Sequence, residues 1–251
     1  MIKFNKKNKL SAIFLILAIS GFLSAAAQDN HNQDTISTQY SLQKQPVYTT
    51  SRLDTDRPVI DGILDDGCWK QGNWAGEYHQ WLPEEGAEPT WPTEFNIQYD
   101  DKNLYVAVKA LEENVAEIEA DEEKDDSSVW KDDSIELFMD MELDCFDNWQ
   151  FIFNSKGTKW DGYRDRRGTI DRDRLDATVE RKAKVTDDGW QIEVAIPFAE
   201  IDVPTPRSGE VWNFGVQRWR YVTGQLTTTW GNERGEPIGG NPEMFGFLVF
   251  E

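Results

Sequence analysis

Short runs of alternating apolar and polar residues, each cut off by a turn signal, dominate this chain from about residue 46 to residue 251. Phe95, Ile97 and Tyr99 alternate with Asn96 and Gln98, and Leu104, Val106 and Val108 follow the turn Asp100-Asp101-Lys102-Asn103. Trp149, Phe151 and Phe153 form another run. Thr178 to Val185 and then Trp190, Ile192, Val194 and Ile196 flank Asp187-Asp188-Gly189. Trp212, Phe214 and Val216 come next, and Phe245, Phe247 and Val249 close the series. Strand side chains point alternately to two faces, so a period of two places one apolar face per run against a core. Such runs, separated by turns, predict an all-β domain: an antiparallel β-sandwich. One short helix is expected at Asp65 to Gly72 and a further turn at Phe198 to Ile201, after Pro197. Residues 46–251 carry no internal repeat and no linker, and are read as one domain.

The first 27 residues have a different pattern. Lys3, Lys6, Lys7 and Lys9 make a basic start, Leu10 to Leu23 is mostly apolar, and Ala25-Ala26-Ala27 offers a small-residue cleavage site. That is the pattern of a secretory signal peptide. The apolar run falls short of the roughly 18 to 20 residues of a membrane span, although an uncleaved anchor is the alternative. No cysteine stands at the cleavage point for a lipid anchor. Residues 28–45 are polar and lack apolar periodicity, which predicts a flexible tether. The expected mature protein is exported, to the periplasm, the cell surface or the medium.

Removing the leader's four lysines takes the formal net charge from -20 to -24. This field repels nucleic acid and anionic membrane and tolerates neutral ligands and divalent cations; it also serves plain solubility. Export permits a disulfide between the two cysteines, Cys68 and Cys145, but their spacing alone does not decide pairing.

Chemistry is concentrated in Trp130-Lys131-Asp132-Asp133-Ser134-Ile135-Glu136-Leu137-Phe138. Ile135, Leu137 and Met139 share the core face of a strand, so Glu136 points away from the core, just beyond the indole of Trp130. A flat ring to stack on and an acid to accept hydroxyl protons suit a sugar; a solvated strand residue is the plainer alternative. Among the eleven tryptophans, Trp149, Trp190 and Trp212 share the core phase, and Trp69 lies on the apolar face of the short helix. Trp130 and Trp230 lie beside polar loops and are either half-packed or platforms. Trp219 shares the phase of Gln217 and could line the polar face; Trp74, Trp81, Trp91 and Trp160 are left open.

Over residues 46 to 251 the chain resembles the family 9 carbohydrate-binding modules. The resemblance rests on Pro58 to Asp65 with Trp69, on Phe95 to Asp100 with Asn103 to Val108, and on Asp132 to Phe138. Gly189 to Phe198 and Phe245 to Leu248 complete it. It implies a β-sandwich with structural calcium and two tryptophans that sandwich a sugar, often at the reducing end of a chain. On that basis Trp130 is the first wall, Glu136 the partnering carboxylate, Gln217 a polar ligand-binding position and Trp230 the second wall. Arg164 and Arg218 are the options for a sugar-contacting arginine. The acid-rich turns Asp121 to Asp126 and Asp171 to Asp176 could supply calcium-binding oxygens. The implied ligands are mono- or oligosaccharides or polysaccharide reducing ends. The implied setting is polysaccharide catabolism, since such modules often accompany xylan-degrading enzymes.

Rival readings are a glycoside hydrolase or its accessory subunit, a haem-binding sandwich, and a structural cell-surface module without ligand. Paired carboxylates carry glycoside hydrolysis, but 46 acids make a chance pair uninformative. His31 in the tether leaves His79 alone, without a triad or a clear axial-ligand set.

Overall fold

The computed structural model describes residues 45–251 apart from 166, 168, 172–174, 223–225, 231 and 240. The expected signal peptide and nearly all of the tether lie outside the described residues. Thirteen strands are present among those described: β1 (Val47–Arg52), β2 (His79–Gln80), β3 (Thr93–Tyr99), β4 (Asn103–Leu111), β5 (Ser134–Asp140), β6 (Asp147–Asn154), β7 (Lys159–Asp165), β8 (Ile170–Asp171), β9 (Glu180–Thr186), β10 (Gly189–Pro197), β11 (Val211–Arg220), β12 (Leu226–Trp230) and β13 (Gly246–Phe250). One α-helix, α1 (Gly67–Gln71), and short 3-10 turns complete the elements. Among the described residues, no helix is long and apolar enough to cross a membrane.

The strands form two packed layers. The first runs β8-β7-β6-β5-β11-β13-β1, with β12 and β2 added at the far half of β11; the second runs β1-β3-β4-β10-β9. Pairing is antiparallel except around β1, which lies parallel to both β13 and β3. Val47 to Thr50 pair with the first layer and Ser51 and Arg52 with the second, so one strand joins the two sheets.

Between the layers lies the core that the alternation predicts. Ile135, Leu137, Met139, Phe151, Phe153, Phe214 and Val216 face Phe95, Ile97, Val106, Val108, Ile192 and Val194, all buried. Trp190 and Trp212 are core residues as expected, and Trp149 packs against the core while partly exposed. The last strand departs from its expected phase. Leu248 and Phe250 fill the sandwich core, whereas Phe245 joins Phe138 and Ile238 on the opposite side of the sheet. Both parities of that segment are apolar, so alternation could not choose between them.

The outer face of the second layer is closed by α1. Trp69, 1 % exposed, packs with Cys68, Tyr105, Ala107 and Ala195. Glu193 on β10 also points outward here and is sealed in: its Oε1 accepts from Trp69 Nε1 at 2.7 Å, its Oε2 from the Gly62 and Asp61 amides at 2.7 and 3.1 Å. Cys68 sits in α1 and Cys145 follows β5; both are free thiols.

Candidate functional site

The outer face of the first layer is only half closed. Phe138 on β5 is capped by Phe245, with ring centroids 5.5 Å apart, and by Ile238. Gly215 beside it has no room for a side chain, because a Cβ would stand 2.6 Å from Ile238 Cδ1. Ile238 and Phe245 therefore block that end of the sheet.

Two residues back along β5, Glu136 faces the same side, opposite Gln217 of β11. Gln217 Nε2 donates to Glu136 Oε2 at 3.2 Å, and its Oε1 is fixed by the Ile238 amide at 2.9 Å. Gln150 of β6 donates to the same Oε2 at 3.3 Å. Arg164 of β7 does not bond to the acid; its Nε and Nη2 both donate to Gln150 Oε1, at 3.2 and 3.0 Å. Burial pushes the Glu136 carboxyl up to about 7, against the opposing pull of the Arg164 charge and hydrogen bonds from Trp219 and Gln150.

Trp130 stands in the 3-10 turn Val129–Lys131 just ahead of β5. The two aspartates after it explain how the turn is held. Asp132 accepts from the amides of Asp121 and Glu122, both at 3.0 Å, and from Asn154 Nδ2 at 2.9 Å. Asp133 accepts from the Glu119 amide at 2.7 Å and the Tyr221 amide at 3.0 Å. The Tyr221 hydroxyl then donates to the Trp130 carbonyl at 3.0 Å. The Trp130 indole meets Trp160 edge to face, at 5.9 Å and 84°. Trp219 and Tyr221 lie nearly parallel, 16° apart with centroids at 6.4 Å.

Together these residues line a cavity of about 400 Å³. Trp130, Trp160, Trp219 and Tyr221 give it aromatic walls; Glu136, Gln150, Gln217 and Arg164 give it a polar floor. Its size and its mix of aromatic wall and convergent polar groups are those of a small-molecule site. Gly162 keeps one wall open: a Cβ there would come within 2.9 Å of the Trp160 ring.

Of the four residues singled out in the sequence, Trp130, Glu136 and Gln217 meet in this cavity, and Trp230 does not. Trp230 is 2 % exposed and inward-facing, with its ring 5.0 Å from Phe95 and 6.3 Å from Phe214. The cause is register. Trp230 pairs with inward-facing Val216, while Thr229 is the residue opposite Gln217. Trp219, two residues on from Gln217, supplies the indole on the cavity side. The two arginines divide the same way. Arg164 lines the cavity, whereas Arg218 points inward and donates to the Leu111 carbonyl at 2.8 Å and Thr93 Oγ1 at 3.3 Å. Gln150, Trp160 and Tyr221 were not anticipated as site residues.

Asp126 and Asp176, one from each acid-rich turn, meet Asp161 of β7 with carboxylate oxygens within 4.8 Å of one another. That is about twice a calcium–oxygen distance of roughly 2.4 Å. Lys159 Nζ stands 2.8 Å from Asp161 Oδ1 and 3.8 Å from Asp176 Oδ1. Its charge offsets one of three negative charges, and the remaining two suit a divalent, oxygen-seeking cation.

A β-sandwich with an aromatic-walled, polar-floored pocket on one sheet face has the construction of a small-ligand binding module. The chain belongs to the carbohydrate family 9 binding domain-like family, whose model matches residues 60–251. Two solved structures of a family 9 carbohydrate-binding module from Caldicellulosiruptor kristjanssonii share the fold. The complex with cellotriose is 21 % identical, with a TM-score of 0.58, over 82 % of this chain and 94 % of that one. The complex with glucose is 20 % identical, with a TM-score of 0.59, over 82 % and 96 %. A candidate carbohydrate-binding protein from Bacteroides uniformis aligns at 16 % identity and a TM-score of 0.65, over 82 % of this chain and 100 % of that one. No curated protein matches the chain.

Proposed function

We propose that this protein is an exported, non-catalytic carbohydrate-binding protein that holds a neutral sugar in the cavity between Trp130 and Trp219, over Glu136, Gln150, Gln217 and Arg164. The observation that carries this reading is the meeting of two indoles with a buried acid and two amides in one pocket of about 400 Å³. Pyranose rings carry an apolar C–H face and a polar hydroxyl edge, and the pocket offers a surface for each. One indole that removes on the order of 100 Å² of apolar surface from water contributes roughly 2 to 3 kcal/mol. Two such walls and a few charge-assisted hydrogen bonds, set against several kcal/mol of association cost, give millimolar to micromolar affinity. The glucose and cellotriose bound by the structural neighbours indicate the sugars to try first.

Binding is favoured over hydrolysis because Glu136 is the one carboxylate among the described lining residues. Two carboxyl groups, roughly 5 to 9.5 Å apart, are the usual hydrolytic machinery. Calorimetric titration with glucose and cellotriose tests the proposal. Trp130→Ala should abolish measurable heat and Trp219→Ala should weaken binding by roughly 2 to 3 kcal/mol; undiminished binding by both would overturn the site. Release of reducing sugar from a glycan panel would argue for the enzyme instead.

Export through the leader at residues 1–27, a role in polysaccharide breakdown and structural calcium complete the proposal. Calcium would be held by Asp126, Asp161 and Asp176. Fractionation of expressing cells tests export, and a melting temperature that drops on chelation tests calcium.

A further inference from the structure

We propose that ligand binding in this cavity is proton-linked: sugar hydroxyls are received by Glu136 in its ionised form, so filling the cavity expels a proton from its carboxyl group to the solvent. The proposal rests on the sugar-binding reading above and adds a regulation of the same site.

It starts from what reaches the acid. Glu136 is 4 % exposed, and its two amide donors, Gln150 and Gln217, converge on a single oxygen, Oε2, at 3.3 and 3.2 Å. A guanidinium stands in the same cavity, yet both of its recorded bonds go to Gln150. A buried carboxylate supported mainly by neutral donors holds its proton well above the usual range, here to about 7. Glu193 on the other layer is buried as deeply, but its three donors cover both its oxygens and Trp69 of α1 packs over it. Glu136 also has three donors, since Trp219 joins the two amides, but it stands at the floor of an open pocket where hydroxyls can still reach it.

Among the described residues, the other charged and titratable groups nearby are few. Arg164 of β7 and Tyr221, just after β11, line the cavity, and Asp133, just before β5, accepts from the Tyr221 amide. The inner strands β6 and β11 present amides and apolar groups, β8 brings Ile170, and segment 237–239 adds no charge. Arg164 favours the ionised acid from a distance. Hydroxyl donors from a bound sugar add charge-assisted bonds that do the same, and more strongly. No covalent bond of the sugar changes. The O–H bond of the Glu136 carboxyl breaks, and buffer takes the proton.

Titration calorimetry with glucose and cellotriose at pH 6, 7 and 8 tests this, with the pH 7 experiment run in both phosphate and Tris. If only the ionised acid binds, affinity at pH 6 should be about tenfold weaker than at pH 8. The heat at pH 7 should differ between the two buffers in proportion to their ionisation enthalpies. Glu136→Gln should bind more weakly with no pH dependence. Binding that is flat with pH and gives equal heats in both buffers overturns the proposal and leaves the sugar site standing. Binding that tightens toward pH 6 also overturns it, because the protonated acid would then be the acceptor state. Failure of both sugars at every pH removes the sugar reading, and this proposal with it. The buffer comparison needs no variant, so it survives a Glu136→Gln protein that does not fold.

Discussion

Both sheets carry a buried glutamate on the face turned away from the sandwich core, and each has a tryptophan beside it. On the second layer, Trp69 donates to Glu193, α1 closes over the pair, and two backbone amides complete the acid's shell. On the first layer, Trp219 likewise hydrogen-bonds to Glu136, but a cavity lined by Trp130, Trp160 and Tyr221 remains beside the acid. An indole and an acid are thus not a binding site by themselves. What distinguishes the pocket is the open space that the protein leaves beside its carboxylate, where a ligand can add hydrogen bonds.

Trp69→Ala should give the largest effect. Removing a fully buried indole costs about 3 to 5 kcal/mol, read as a lower denaturation midpoint. A midpoint equal to wild type would break the idea that α1 clamps this face. Trp219→Ala should do the reverse, weakening sugar binding by roughly 2 to 3 kcal/mol while stability moves by less than about 1 kcal/mol. Equal losses of stability in the two variants would erase the distinction between clamp and wall.

Exchanging each acid for its amide sharpens the contrast. Glu193→Gln places an N–H against donors that had a carboxylate to meet, and should cost about 1 to 3 kcal/mol. Glu136→Gln has a pH-dependent sign. The folded state holds the Glu136 proton up to about 7, against 4.5 for the ordinary group. Wild-type stability therefore falls as pH rises through that window and levels off above it. The amide lacks this fall, so the variant should gain melting temperature relative to wild type above pH 7; a constant offset between pH 4 and 9 would contradict the assignment. Gly162→Ala is the mildest change. Its methyl group should displace the Trp160 ring and weaken binding a few-fold, measured calorimetrically, with a stability change under about 1 kcal/mol.

Much of the sandwich was legible because strands β3, β4, β6, β10 and β11 each carry an apolar face of period two. Strand β7 was not, since its inward positions hold Lys159 and Asp161, a buried ion pair at 2.8 Å that inverts the usual polarity. With β7 unseen, Trp160 could not be assigned and Arg164 had no strand to place it. Glu136 was legible because phase against Ile135 and Leu137 fixes its side of the sheet, whereas Trp130, in the 3-10 turn ahead of that strand, was assigned only through the family resemblance. Trp230 was not, because Thr227-Thr228-Thr229 gives no apolar contrast from which to read phase. Only the pairing of β12 with β11 turns Trp230 inward, and that is a tertiary fact.

Strand β1 has a further consequence for how the domain assembles. Val47 lies opposite Phe247, so closure of the first layer joins residues about two hundred positions apart. Ordering so long an intervening segment before the partners meet carries a loop-entropy penalty and slows collapse. Until β13 is available, β1 lacks the neighbour that ties it to the first sheet, and the seam between the layers stays unlatched. A polypeptide built this way cannot fasten its two layers together until its final strand arrives.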